Sequence, residues 1–595
     1  MALHETRGEP AVELPPTDNL TTRLFRRAEG RSTTEIVRYW SDGAWRGLTW
    51  AQLADRVREV AAGLVAVGVE PGDRVALVCG TRLEWTVSDL AILAAGAVTV
   101  PMYETSSVDQ CTWILADSKA KVAIAETADH GKILDAARGD APDLGEVFVV
   151  DDGGLQALAE RADGAARDHI TERAAAPRAD DLASIVYTSG TTGNPKGCML
   201  THGNWLWTAR QSEVTLRKLL GDEDATLLFL PLAHSFARLI QFLCLESDVT
   251  MGYSRGVEHL VEDLQSFSPT FLLSVPRVFE KVFNGARAKA TGGKRKVFDA
   301  AADTAQAWSS STNPGLGLKL RRGLFDRLVY AKLREAIGGR INYCVSGGAP
   351  LSPYLANFFH AAGITILEGY GLTETSAPAT VNTPDALRIG SVGRPLPGVT
   401  VRVDDDGEIL VSGGNVFAGY YHNVAATKEV LSGDGWLRTG DLGEIDDDGF
   451  LRITGRKKEI IVTAGGKNVA PAVLEERLKS NRLVSQCMVI GDNRPFIAAL
   501  VTLDPEELTA FAGEQDLSGS PAELVRTDPV KSEVAKAIAH ANVAVSKAES
   551  IRKFSILERD FTQEDAELTP TLKVKRRVIT EHFATEIEAL YEQRS

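Results

Sequence analysis

Paired cysteines are missing from this chain. Its six cysteines, Cys79, Cys111, Cys198, Cys244, Cys344 and Cys487, lie far apart. They have neither the spacing of a zinc site nor the density of a disulfide-stapled domain, and that usage fits a reducing cytoplasm. An apolar leader segment is missing too. The first thirty residues hold Glu9, Glu13, Asp18 and Pro15-Pro16 instead, so no secretory signal is expected. No apolar run is long enough to span a bilayer: the smoothest, Leu90 to Met102, falls short of the about 20 residues required and is expected to be a buried helix and strand. Excess positive charge is absent as well. With 65 Lys and Arg against 80 Asp and Glu, the formal net charge is -15 and the pI about 5.3, which opposes a surface built for nucleic-acid phosphates. No internal repeat of fixed period is visible.

What is present is a globular composition on a long chain. Hydrophobic residues make up 44% and charged residues 24%, which excludes a fibrous or largely disordered protein. At 595 residues the chain exceeds what one apolar core supports, so at least two domains are expected. Thr49 and Gln52 form a capping-box pair ahead of Leu53, Val57, Val60, Ala61 and Leu64, which recur at helical spacing. Short apolar runs at 74–79, 98–100, 121–125, 147–150, 271–274 and 341–345 alternate with helical stretches, predicting an α/β fold of layered parallel sheets. After Arg394 short strands with Gly and Asp turns predict a β-rich subdomain. Beyond Gly455 a helix at 472–479, strands at 487–490 and 496–503, and further helices predict a small α+β domain. The expected division is 1–454 and 455–595.

The segment Tyr187-Thr188-Ser189-Gly190-Thr191-Thr192-Gly193-Asn194-Pro195-Lys196-Gly197 carries the strongest chemical signal. It follows the strand-like run 183–186 and precedes a helix start at Thr201-His202-Gly203-Asn204. Gly190 and Gly193 allow close approach to an anion, the hydroxyls of Thr188, Ser189, Thr191 and Thr192 donate hydrogen bonds, and Lys196 brings positive charge. A phosphate-holding loop is the expectation. It is not a Walker loop, because the spacing from Gly190 to Lys196 differs and Gly197 follows the lysine. Nor does Gly369-Tyr370-Gly371 continue into a dinucleotide fingerprint.

Four segments in order, Tyr187 to Gly197, Tyr370 to Thr375, Thr439-Gly440-Asp441 and Gly455-Arg456-Lys457-Lys458-Glu459, resemble the signatures of the adenylate-forming superfamily. That group includes acyl-CoA synthetases, luciferases and peptide-synthetase adenylation domains. The resemblance runs from about Leu48 to Arg577. It implies an adenylation domain over 1–454 that binds acyl group and ATP, and a mobile domain over 455–595. It implies ATP, Mg²⁺ and coenzyme A as reaction partners, with Thr188 and Glu374 at the metal. A carboxylate and a hydroxyl suit that hard, octahedral ion. Asp441 and Arg456 are implied on the ribose side, where a carboxylate accepts two hydrogen bonds from a diol. Gly348 and Ala349, within Ser346 to Pro350, are implied on the adenine side, with Tyr370 against the base and Gly371 and Thr373 in the same nucleotide-binding segment.

The terminal stretch Leu568 to Arg577 is similar to the segment bearing the superfamily's adenylation lysine. Its register places that task on Lys573, with Lys575 as the competitor, and Leu572 stands where glycine is frequent. A mobile ammonium there offsets repulsion between the attacking carboxylate and the α-phosphate. Lys458 matches the hinge, and Gly465, Gly466 and Lys467 match the loop that a second conformation brings to the coenzyme A side. Pro231 to Arg238, Leu273 to Glu280 and Leu568 to Thr571 resemble the long-chain fatty acyl-CoA synthetase branch, which puts His234 in the acyl pocket rather than in a catalytic task. A ligase for medium-chain or aryl acids, or an acyl-AMP ligase without thioester formation, shares most of these features. A lipid substrate and the basic clusters at 294–296 and 573–577 leave peripheral contact with the inner face of a membrane open.

Overall fold

Alternating strand and helix signals in the first 350 residues resolve into two parallel-rich sheets flanked by helices. The computed structural model describes residues 4–9, 12–188, 194–221, 223–311, 313–569 and 573–592. The larger sheet has seven strands in the order Gly419–Tyr420, Lys196–Thr201, Leu182–Thr188, Val98–Met102, Arg74–Val78, Val122–Ala125 and Val147–Val149. Its last five strands run parallel and are buried on both faces, which explains their unbroken apolar runs. The second sheet takes Phe271–Ser274, Tyr343–Ser346 and Thr365–Leu372 in parallel, then adds Ala377–Val381 and Arg394–Pro395 antiparallel.

A four-stranded sheet combines Ala225–Leu228 and Thr250–Tyr253 with the hairpin Glu35–Ser41 and Ala44–Thr49. The capping box at Thr49 and Gln52 forms as predicted, each side chain bonding the other's backbone N–H, and opens the helix Trp50–Ala66. Leu90 to Met102 is the end of the helix Leu83–Ala94 and the strand Val98–Met102, both buried. Among the described residues no helix is long and apolar enough to cross a membrane.

One expectation is corrected. The loop after Leu182–Thr188 does not lead into a helix; it joins two antiparallel strands, with Thr188 opposite Lys196. The helix His202–Thr215 begins only after the second strand, and its own capping box of Thr201 and Asn204 satisfies its first turn. Six strand residues at about 3.3 Å each set that helix start roughly 20 Å from the loop. Its dipole therefore contributes nothing to anion binding there.

The predicted β-rich subdomain is an antiparallel sheet in the order Glu5–Arg7, Thr400–Val403, Glu408–Ser412, Leu437–Ile445 and Leu451–Arg456. Its last strand runs to Arg456, and the apolar core of the small domain begins at Ile461. In that small domain the helix Pro471–Lys479 packs beside three strands, Val484–Ile490, Ile497–Leu503 and Ile551–Ile556. The small domain rests against the large one. Arg277 of the large domain donates to Ser485 Oγ at 3.1 Å and lies 3.6 Å from Asp504.

Candidate functional site

The site lies where strand ends from both large sheets meet the edge of the small domain. The helix Val108–Ser118 fastens both sides of the phosphate-loop segment: Tyr187 donates its hydroxyl proton to Asp117 Oδ2 at 2.6 Å, and Trp113 Nε1 donates to the Pro195 carbonyl at 3.0 Å. Ser189, Gly190, Thr191, Thr192 and Gly193 lie outside the described residues. Thr188 and Lys196 end the two strands on either side.

Glu374 sits on the short turn Thr373–Thr375 that ends the strand Thr365–Leu372. A tight crossing shapes that turn, because a Cβ on Gly371 would fall 1.7 Å from the Ala377 carbonyl oxygen. The turn faces the loop strands. Tyr420, on the two-residue strand paired with the strand of Cys198, donates its hydroxyl proton to Glu374 Oε1 at 2.7 Å, and the Lys196 ammonium lies 5.2 Å from the centre of its ring. Burial and the adjacent Glu374 carboxylate push the Tyr420 hydroxyl far above its usual range. Cys198 is wedged between Thr188 and Glu374, and burial, then the Glu374 charge, keeps its thiol protonated. Neither Tyr420 nor Cys198 carries a sequence signal; antiparallel pairing alone brings them here.

A second cluster closes the other side. Asp441, on the strand Leu437–Ile445, is 5% exposed and its two carboxylate oxygens are both engaged. Tyr370 donates its hydroxyl proton to Oδ2 at 2.8 Å, and Arg456 Nε donates to Oδ1 at 2.8 Å. The antiparallel ladder places Asp441 directly opposite Arg456, a register that the separate motifs do not disclose. Burial works against the Arg456 charge, but Asp441 and Glu459 outweigh it and its pKa rises. Tyr370 rises well above its usual range, from burial and then Asp441.

The segment expected on the adenine side ends the strand Tyr343–Ser346. Gly348 adopts φ +81°, and a Cβ on Gly347 would come within 3.0 Å of the Phe236 ring. Gly348 and Ala349 are exposed. His234 caps the helix Ser235–Ser247, its Nδ1 accepting from the Phe236 N–H at 3.2 Å. Burial and then the charge of Lys573 lower its pKa to about 4, so the ring is neutral at neutral pH. Ser235 Oγ lies 3.3 Å from Thr373 Oγ1, joining this helix start to the turn of Glu374. The helix itself is fixed by a fully buried pair, Arg238 with Asp89, at 2.6 Å. Loss of one partner of such a pair costs about 3–5 kcal/mol.

Lys573, exposed on the small domain, stands near enough to this cleft for Arg456, Asp441 and Glu459 to act on its charge. Its backbone is held by reciprocal bonds with Thr569, at 3.0 Å to the hydroxyl and 2.8 Å from Thr569 N–H to the Lys573 carbonyl. Surrounding protein and then Arg456 lower its pKa below the usual lysine range, with Asp441 and Glu459 opposing. Lys458 is exposed on the short turn Lys457–Glu459 between the domains. Gly465, Gly466 and Lys467 are also exposed, on the hairpin between Ile461–Val462 and Asn468–Val469, and Lys467 pairs with Glu549 of its own domain at 3.2 Å. In this arrangement the hairpin is not part of the cleft lined by Asp441, Arg456 and Lys573.

Both large-sheet strand ends and the interdomain cleft define a nucleotide-binding enzyme of two domains. Residues 24–421 match the model of the AMP-binding enzyme family, and residues 458–595 match that of the AMP-binding enzyme C-terminal domain. The chain belongs to the AMP-binding enzyme family. It is 48% identical over 586 residues to the long-chain-fatty-acid–CoA ligase FadD15 of Mycobacterium tuberculosis, covering 96% of this chain and 97% of that protein. It is 30% identical to the rat long-chain-fatty-acid–CoA ligase 5, covering 92% of this chain and 84% of the relative. Among solved structures, an anthranilate CoA ligase, AuaEII, in complex with anthranoyl-AMP superposes with a TM-score of 0.74 at 21% identity over 97% of this chain and 99% of the other. A Mycobacterium tuberculosis fatty acyl CoA synthetase gives 0.64 at 23% identity over 96% and 99%. Both share the fold.

Proposed function

We propose that this enzyme activates a long-chain fatty acid with ATP and transfers the acyl group to coenzyme A, releasing AMP and pyrophosphate. The single observation that carries this reading is the buried Asp441, held by Tyr370 and Arg456 at 2.8 Å each, with the charge of Lys573 from the small domain within their reach. In the first step a carboxylate oxygen attacks the α-phosphate in line and pyrophosphate leaves. Lys573 neutralises charge between the two anions, and the loop 188–197 with Lys196 holds the leaving phosphates. Asp441 and Arg456 grip the ribose, Gly348, Ala349 and Tyr370 border the adenine, and Gly371 and Thr373 shape the floor. His234, neutral and half-buried, borders the acyl group.

The donors around Glu374 fit Mg²⁺. The described residues contain no group of three or more His, Cys, Asp or Glu able to hold a metal. Such a site suits an ion that takes one carboxylate and one hydroxyl from protein, here Glu374 and Thr188, and the rest of its shell from phosphate and water oxygens. Bound there, Mg²⁺ supplies charge neutralisation at the phosphates. Tyr420 orients Glu374 for that task.

In the second step the coenzyme A thiol attacks the acyl-adenylate and AMP leaves. The domain division at 454 and 455 belongs to this reading: rotation about Lys458 withdraws Lys573 and presents Gly465, Gly466 and Lys467 to the thiol. The reading also sets the enzyme in the cytoplasm, in peripheral contact with the membrane's inner face. It is tested with purified enzyme, ATP, Mg²⁺, coenzyme A and a panel of fatty, aromatic and short acids, measuring AMP and thioester together. Equal yields of both with medium or long fatty acids are expected; no thioester with any of them overturns the reading.

A further inference from the structure

Helices at the surface of a folded domain bury their leucines; one helix here does the reverse. In the helix Leu316–Phe325 and its continuation to Ala336, Phe325, Tyr330 and Leu333 face the core. Leu316, Leu320, Leu324 and Leu328 point outward, with exposures of 81%, 75%, 57% and 46%. Four-residue spacing puts these leucines on one side of the helix, and the wider π-helical turn Asp326–Tyr330 offsets the drift that such spacing accumulates. At about 1.5 Å per residue the whole helix is roughly 30 Å long, so the stripe is an extended apolar ridge.

The charges beside the ridge are predominantly positive. Lys319, Arg321, Arg327 and Lys332 are exposed along it. From Leu316 to Ala336 the acidic residues are two, Asp326, which is tied to Arg334 at 2.8 Å, and the exposed Glu335, against six Lys and Arg. The preceding helix Gly293–Ser309 packs against this one, with Lys294, Lys296 and Val297 exposed in its first turn and Asp303 exposed further along. On a chain whose formal net charge is -15 this concentration is local. An apolar stripe rimmed by cations matches the boundary of an anionic lipid leaflet, with leucines among the acyl chains and cations at the headgroups. Two copies of this face brought together would instead oppose their cationic rims.

We infer that the Leu316 to Leu328 ridge is the surface by which this enzyme docks on an anionic bilayer. The inference rests on the peripheral contact proposed above and assigns it to a particular helix.

The full-length protein is sedimented with vesicles of phosphatidylcholine alone and with vesicles carrying about one-third phosphatidylglycerol. Wild type is expected to partition onto the anionic vesicles and to release as salt is raised. Leu320→Ser with Leu324→Ser is expected to lower partition at least about tenfold while leaving the thermal midpoint unchanged, because both side chains are already solvent-exposed. Arg321→Ser with Arg327→Ser should remove the preference for anionic lipid. If the leucine variant partitions like wild type, the ridge is overturned while peripheral contact stands. If wild type binds neither vesicle, both fall. Self-association of wild type without lipid, lost in the leucine variant, makes a second copy the occupant and overturns the proposal.

Discussion

Lys573 is asked to work only in the adenylation step. Lys573→Ala should abolish acyl-adenylate formation and spare thioester formation from supplied acyl-adenylate, measured as two separate half-reactions; equal loss of both moves the task elsewhere. Because surroundings hold its pKa below the usual lysine range, its charged form exists below that lowered value and is lost as pH rises through it. The alkaline limb of adenylation should therefore move upward in Lys573→Arg. Tyr420→Phe removes the hydroxyl that orients Glu374. Its expected signature is a several-fold higher Mg²⁺ requirement with the fatty-acid KM unchanged. Glu368 offers a stability test. Burial raises its carboxyl to about 7, the Leu351 N–H donating to it at 3.3 Å and only partly compensating. A raised folded pKa favours the protonated form. That contribution is whole below the unfolded carboxylate range and fades as pH climbs through about 7, leaving a penalty of up to about 3 kcal/mol above it. Glu368→Gln should raise the thermal midpoint at pH 8 and change little at pH 5.

Elements were legible wherever their signals are local. The capping box at Thr49, the strand Phe271–Ser274, and the short strands after Arg394 stand where periodicity and turn residues place them. The hairpin strand Lys196–Thr201 was not: a run of Gly, Cys and Met after a Gly-rich loop has no alternation, and its partner across the loop alone makes it a strand. Ile551–Ile556 was missed for a similar reason, since Arg552 and Lys553 interrupt a pattern that long-range parallel pairing with Ile497–Leu503 rescues. In the site, motifs gave Thr188, Glu374, Asp441, Arg456 and Lys573. Tyr420 and Cys198 came only with the sheet, because nothing near them in the chain marks a partner 46 or 176 residues away from Glu374. Gly371→Ala tests the element that carries Glu374. With no room for a Cβ against Ala377, the strand crossing must open, and nucleotide affinity should fall by about tenfold or more with a lowered thermal midpoint.

At the scale of the molecule, the interface of the two docked domains includes Arg295, at 3.6 Å from Glu514, and a second arginine. Arg277 reaches Ser485 and Asp504 across it while bonding Glu280 of its own helix at 3.0 Å. Arg277→Ala should loosen docking: the adenylation half-reaction should fall a few-fold, and limited proteolysis should cut more readily between Arg456 and Ile461. The sequence could announce two domains from length and texture, but not this clamp, whose partners lie on separate chains of secondary structure more than two hundred residues apart. All six cysteines, finally, are buried and free, and burial raises the thiols of Cys111, Cys344 and Cys487 to about 12. To a maleimide the folded enzyme is blank. One engineered thiol on the exposed Lys467 hairpin and another on the large domain would accept a fluorophore pair without removing any native cysteine, and the proposed swing of the small domain would be read as a change in energy transfer during turnover.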